Sequence, residues 1–139
     1  MLRVRRCAIV RGVKPKASEP IVVVSESWRT QALLAAQLSE DLGQDVISAS
    51  DVHEVLGCIK LGGIDPAVLL VDAGQGISAS DVRRLAEAKR DTPLVLLVSR
   101  LRCHAFESLR GISADYLVRP IPVGEISRSV RRVLRDAPE

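Results

Sequence analysis

Five short apolar runs, each followed by a helix-like segment, organise the chain after residue 20 and restrict its fold more than any other feature. The first run, Ile21–Val24, is unbroken, which is typical of a strand covered on both faces. The first helical segment begins at a capping serine and ends at Gly43. Strands that alternate with helices pair in parallel through right-handed crossovers. The sequence therefore predicts an α/β fold, in which a doubly wound, five-stranded parallel sheet carries helices on both faces.

The predicted elements follow from apolar runs, caps and helix breakers. The strands lie at residues 21–24, 46–48, 67–71, 94–98 and 116–118. The first four helices begin at Ser25 or Ser27, at Ser50 or Asp51, at Ser80 and near Cys103. The third ends about Arg90 and the fourth at Gly111. The last helix is predicted to bury Ile126, Val130, Val133 and Leu134, at the spacing of one helix face.

Charge divides the chain into two parts. Residues 1–20 contain six basic side chains against Glu19 alone, whereas residues 21–139 contain fourteen basic and sixteen acidic side chains. We therefore predict a basic N-terminal extension over residues 1–20, which could be disordered, and one folded domain over residues 21–139. The extension could contact nucleic acid or acidic lipid, although a solvated tail is the simpler interpretation. Aromatic residues make up 2% of the chain, which argues against stacking on single-stranded nucleic acid.

Cysteine and histidine spacing gives no support for a disulfide framework or a zinc site. Cys7, Cys58 and Cys103 are far apart, and none forms a ligand pair with His53 or His104. No apolar stretch reaches transmembrane length, and the apolar part of the extension is too short for a signal peptide. A cytoplasmic protein with reduced thiols and no membrane association is therefore predicted.

Polar side chains collect where the predicted strands end. In an open doubly wound sheet, ligands bind beyond the carboxyl ends of the strands, at the point where strand order reverses. The residues there are Ser25, Glu26, Asp72, Ser99 and Arg119. Carboxylates can bind Mg²⁺, a hydroxyl and a cation can stabilise phosphoryl oxygens, and an Asp carboxylate can accept a phosphoryl group. This edge of the sheet is the predicted functional site.

Residues 21–135 resemble the receiver domain of two-component response regulators over its whole length. The resemblance is carried by four segments in the order and at the strand ends typical of that family, namely Ile21–Glu26, Ala67–Asp72, Pro93–Ser99 and Asp115–Pro120. It implies a flavodoxin-like topology with strand order 2-1-3-4-5. It also implies a signalling domain of a phosphorelay and not a metabolic enzyme.

The resemblance also implies roles for individual residues. Asp72 matches the phosphorylated aspartate, and Glu26 matches an acid that holds Mg²⁺ together with it. Ser99 matches the hydroxyl that moves toward the phosphoryl group, and Tyr116 matches the aromatic switch residue. Arg119, followed by proline, stands where the family has Lys-Pro, often with a cis peptide bond. Magnesium is therefore the cofactor that the resemblance implies.

The implied partners are those of a phosphorelay. A histidine kinase or phosphotransfer protein, or a small-molecule donor, would supply the phosphoryl group. A downstream protein, or a second copy of the chain in a homodimer, would bind the surface formed by the fourth helix, fifth strand and fifth helix. Nucleic acid is expected only at the basic extension.

Three departures from the family pattern weaken the expectation of phosphotransfer. Ser25 stands where an acid is usual, so Mg²⁺ would lose a charged ligand. Arg119 keeps the charge of the usual lysine but has a larger, planar head group. The segment 73–76, with Gly74 and Gly76, replaces the usual turn after the aspartate and predicts a more flexible loop.

These departures leave an alternative open. Arg119 could pair with Asp72 and neutralise it, which would make the domain a pseudo-receiver that binds a protein partner without being phosphorylated. A nucleotide-binding enzyme is a weaker third hypothesis, because the glycines at 62–63 and 74–76 lack the spacing of a phosphate-binding loop.

Overall fold

Five strands and five helical segments make up the computed structural model, which describes residues 19–74 and 76–136. The strands are β1 (Ile21–Ser25), β2 (Val46–Ala49), β3 (Val68–Ala73), β4 (Leu94–Ser99) and β5 (Asp115–Arg119). The helices are α1 (Trp28–Leu42), α2 (Val52–Lys60), α3 (Ala79–Ala88), a 3₁₀ helix (Cys103–Ile112) and α4 (Val123–Asp136). The strands form one parallel sheet in the order β2-β1-β3-β4-β5, which confirms the predicted α/β fold and strand order.

Side-chain caps fix where the helices begin. Ser27 and Asp51 accept hydrogen bonds from the backbone N–H three residues on, at 3.2 and 2.9 Å. The prediction that Ser80 caps α3 is wrong: Ser78 caps it, at 3.1 Å from the amide of residue 81, and Ser80 lies in the first turn. Ser78 has the extended backbone that an N-cap requires. Gly43 ends α1 with a left-handed φ of 66°, as predicted.

The fourth helical segment is a 3₁₀ helix, a distinction that the prediction of a helix near Cys103 did not make. Apolar residues recur here at every third position, in Cys103, Phe106, Leu109 and Ile112. A 3₁₀ helix has three residues per turn, so this spacing places them in one line. Phe106 and Leu109, in the middle of that line, are fully buried against the sheet.

The core has two layers, one on each face of the sheet, because successive strand residues point to opposite faces. One layer packs Val22, Leu69 and Leu96 against α2, α3 and the 3₁₀ helix. The other packs Val23 and Leu70 against α1 and α4. In α4, Ile126, Val130 and Val133 are buried and Leu134 is half-buried, close to the prediction.

Two further sequence predictions concern the basic extension and membrane-spanning helices. The predicted basic extension lies almost wholly on residues 1–18, outside the described residues. None of the helices in the described part is long and apolar enough to cross a membrane.

Candidate functional site

Strand register brings four of the predicted site residues to one face of the sheet. Ser25 of β1 is the cross-strand partner of Asp72 of β3, and Ser99 of β4 is the partner of Arg119 of β5. Asp72 is paired with Leu97, two residues before Ser99, so all four side chains share a face. This face is the one covered by α1 and α4. These four side chains therefore lie on the α1/α4 face of the sheet, at the carboxyl ends of their strands.

The Asp72 carboxylate has a partner on each oxygen. Arg119 Nε donates to Oδ1 at 3.3 Å, and Arg119 Nη2 lies at ion-pair distance from the same oxygen, also 3.3 Å. Ser25 Oγ donates to Oδ2 at 2.9 Å. The Asp72 side chain is 14% exposed and that of Arg119 is 35% exposed. An ion pair at this depth is shielded from water more than a surface pair, so the guanidinium balances the aspartate charge.

Ser25 is fully buried and held so that it donates to Asp72. Its Oγ accepts a hydrogen bond from the Ser27 amide at 3.2 Å, and its carbonyl accepts one from Gln31 Nε2 at 2.6 Å. A carboxylate in place of Ser25 would bring two negative charges together across adjacent strands. The hydroxyl instead completes the hydrogen bonding of Asp72.

Glu26 contacts the loop after β3. The Gly76 amide donates to both Glu26 carboxylate oxygens, at 2.9 Å each. A Cβ atom built on Gly74 or on Gly76 would collide with those same oxygens. The two glycines, which predicted a flexible loop, thus make room for a carboxylate. Arg102 donates to the Gly74 carbonyl.

Sequence reasoning missed Arg102 and the contact between Glu26 and Gly76. The glycine pair at 74 and 76 was the available signal for Glu26, since glycine also occurs where another group approaches the backbone closely. Nothing in the sequence marked Arg102, which follows β4 by three residues.

The described residues do not fit Mg²⁺ as they are placed. The predicted ligands were Glu26 and Asp72, but Glu26 is bonded to Gly76 and both oxygens of Asp72 have partners. Within residues 19–74 and 76–136, no group of three or more His, Cys, Asp or Glu side chains could hold a metal ion. Mg²⁺ prefers several oxygen ligands in octahedral geometry.

Ser99 and Tyr116 make contacts apart from Asp72. Ser99 Oγ accepts a hydrogen bond from the Leu101 amide at 3.0 Å. Tyr116 points to the opposite face of the sheet, where its hydroxyl donates to the Cys103 carbonyl at 3.0 Å. The Arg110 guanidinium lies 4.5 Å from the centre of its ring. Burial raises the pKa of Tyr116 from its ordinary value, with a smaller contribution from nearby negative charge.

The peptide bond between Arg119 and Pro120 is cis, as the resemblance implies. An open groove of about 500 Å³ lies beside it. Its lining residues are Ser99, Arg100, Leu101, Arg119, Pro120 and Ile121. The groove and the Asp72 pair thus share Arg119.

Solved receiver domains have this same fold. A response regulator receiver domain protein from Clostridium thermocellum superposes with a TM-score of 0.71 at 16% identity, covering 84% of this chain and 94% of that one. The receiver domain of NtrX from Brucella abortus gives 0.70 at 18%, covering 84% and 98%. A structure named adenylate cyclase from Rhodopirellula baltica gives 0.71 at 18%, covering 85% and 88%.

At the level of sequence, no protein-family profile matches the chain, and no curated protein does. The structural likeness therefore defines the fold, which is that of response-regulator receiver domains.

Proposed function

We propose that this chain is a receiver-like signalling domain that binds a protein partner without being phosphorylated. The observation that carries the proposal is the Asp72 carboxylate, held by Arg119 on one oxygen and by Ser25 on the other. The domain would be a non-enzymatic member of a signalling pathway, and its partner surface would not depend on Mg²⁺.

The charges at the site support this proposal. Phosphoryl transfer to a carboxylate is catalysed mainly by cations that neutralise the charge of the transferred group. Here Arg119 is already paired with Asp72, Ser25 supplies no charge, and Glu26 is bonded to the loop. Phosphorylation would replace the single negative charge of the Asp72 carboxylate by about two, near a single paired cation. The arrangement favours an aspartate that stays unmodified.

A second candidate keeps the phosphorelay role. It is favoured by the position of Asp72 at the carboxyl end of the central strand, where its side chain is 14% exposed. In that case, a carboxylate oxygen of Asp72 would attack the phosphorus of a phosphohistidine, and the imidazole would leave. The donor would be a histidine kinase or a phosphotransfer protein, and Arg119 would have to turn from Asp72 to the phosphoryl oxygens. The readout would be the surface formed by the 3₁₀ helix, β5 and α4, through a downstream protein or a homodimer.

Amide chemical shifts of the full chain in Mg²⁺ and beryllofluoride distinguish the two candidates. Beryllofluoride mimics a phosphoryl group on an aspartate, so a phosphorylatable site would show shifts around Asp72 and Ser99. We expect no shifts there at millimolar Mg²⁺. The matched control is Asp72→Asn, which removes the acceptor at nearly constant size. Shifts in the wild-type chain that vanish in this variant would overturn the proposal and establish the phosphoryl acceptor.

A further inference from the structure

The groove beside Arg119 combines positive charge with an exposed apolar surface. Arg100 is exposed and has no ion-pair or hydrogen-bond partner for its side chain among the described residues. Leu101 is 94% exposed, although large apolar side chains are normally covered. Pro120 and Ile121 also line the groove.

Arg119 connects the groove to Asp72. Its Nε and Nη2 atoms contact Asp72 Oδ1, while Nη1 has no hydrogen-bond partner within the described ranges. The guanidinium can therefore donate to a second anion while it stays paired with Asp72, because it carries five N–H donors in one plane. One arginine would then respond both to the state of Asp72 and to a ligand in the groove.

We infer that this groove binds a protein segment in which carboxylate side chains flank an aliphatic one. The carboxylates would pair with Arg100 and Arg119, and the aliphatic side chain would cover Leu101 and Ile121. Charge complementarity supports an acidic occupant, because two of the residues that line the groove are arginines and none of them is acidic. This inference rests on the proposed role as a protein-binding module and identifies its surface.

The lining of the groove argues against other anions. Nucleic acid binding usually needs several phosphate contacts or stacking aromatic rings, and the groove has two arginines and no aromatic side chain. An inorganic anion would leave Leu101, Pro120 and Ile121 exposed.

The shared arginine predicts a coupling between Asp72 and the groove. When Asp72 is neutral, the full charge of Arg119 becomes available to the bound carboxylate, and the segment should bind more tightly. Coupling between two sites is reciprocal, so a bound carboxylate should also weaken the hold of Arg119 on Asp72.

Peptide titration followed by amide chemical shifts of the full chain tests the inference. The probe is acetyl-Gly-Glu-Leu-Asp-Leu-Glu-Gly-amide, and its control has Gln and Asn in place of Glu and Asp. We expect saturable shifts at Ser99–Leu101 and at Arg119 and Ile121 with the acidic peptide only. Failure to bind at millimolar peptide, equal binding of both peptides, or shifts centred elsewhere would overturn the inference.

Single-residue variants provide a second test of the groove and of its coupling to Asp72. Arg100→Glu should weaken the acidic peptide about fivefold or more, since it replaces an attraction by a repulsion. Arg84→Glu, an exposed position on α3 with the same change in net charge, is the matched control and should have little effect. Asp72→Asn should tighten binding by a factor of about two to five. If both Glu variants weaken peptide binding equally, the groove is not the binding site. If Asp72→Asn does not bind the peptide more tightly, the coupling between Asp72 and the groove is contradicted.

The two proposals fail separately. Beryllofluoride shifts at Asp72 would overturn the proposal that the domain is not phosphorylated. The proposed peptide groove would still stand if the acidic peptide binds. If neither the acidic peptide nor beryllofluoride causes shifts, only the proposal of the peptide groove is overturned.

Discussion

The centre of the sheet and its β5 edge are held by different interactions. Every residue of β1 is buried, and so are residues 68–71 of β3 and 94–98 of β4. All five residues of β5, in contrast, are half-buried. Burial of apolar surface has no direction and grows with area, so it fixes the centre as a block.

At the edge, directional polar contacts replace burial. Asp115 accepts hydrogen bonds from Ser129 Oγ at 2.6 Å and from Arg132, which attaches β5 to α4. Tyr116 bonds to the 3₁₀ helix, and Arg119 bonds to Asp72. A polar contact can be exchanged for another of similar energy, whereas a packed core resists rearrangement. The β5 edge therefore depends on a few individual polar contacts, whereas the centre depends on packed apolar surface.

The largest effect is expected from removing bulk at the centre. Leu70 is fully buried, and Leu70→Ala should lower the free energy of unfolding by about 2–5 kcal/mol through lost burial and a cavity. Leu117→Ala, at a half-buried position on β5, is the control and should lose clearly less. Urea denaturation of both variants measures the difference. Equal losses would mean that the edge is packed as tightly as the centre.

Asp115→Ala should be the most damaging change at the edge. It removes the acceptor of the buried Ser129 hydroxyl and of Arg132, so we expect a loss of about 1–3 kcal/mol in unfolding free energy. Asp136→Ala is the control, because Asp136 is exposed and its pair with the exposed Arg135 is 3.8 Å long. A loss for Asp115→Ala no greater than the control value would show that polar contacts do not hold β5 to α4.

Tyr116→Phe should have a smaller effect, because it removes one hydroxyl and keeps the ring. Loss of the hydrogen bond to the Cys103 carbonyl should lower stability by about 0.5–1.5 kcal/mol. Hydrogen exchange should also quicken in the 3₁₀ helix relative to β3. Unchanged exchange there would indicate that this bond does not fix the 3₁₀ helix on the sheet.

The smallest expected effect is a change in stability at high pH, caused by ionisation of the Tyr116 hydroxyl. Burial raises the pKa of Tyr116 above its ordinary value of 10.0, so the folded chain holds the phenolic proton more tightly than the unfolded chain. The stability that this shift contributes is fully present below pH 10 and is lost as the pH rises through the folded pKa. Tyr116 is the single tyrosine of the chain, so phenolate absorbance reports it alone. A native midpoint at or below that of the denatured chain would contradict the burial of its hydroxyl.

Most of the fold could be predicted from the sequence. All five strands lie within two residues of their predicted limits, because unbroken apolar runs such as Ile21–Val24 occur where a strand is buried on both faces. Asp72 follows such a run, so its position at the carboxyl end of the sheet was also predictable. The Ser80 error was local, since Ser78 and Ser80 are equally suitable capping types and only the backbone distinguishes them.

The partners of the charged residues were less predictable. The pair of Arg119 with Asp72 was one of two alternatives, and the roles of Glu26 and Ser99 stay predictions. Glu26 reaches a glycine 50 residues away, and Arg102 reaches a carbonyl 28 residues away. Such contacts depend on where the loops that follow separate strands come together.

The sequence by itself determined the sheet, its two apolar layers and the placement of an aspartate at the carboxyl end of its central strand. Those features follow from hydrophobic periodicity, a property that each segment carries locally. The tertiary structure alone decided that the aspartate is paired with Arg119 and Ser25, and that Glu26 is bonded to the loop after β3. A charged side chain takes whichever partner the assembled loops bring within reach, and that choice is made across the whole sheet.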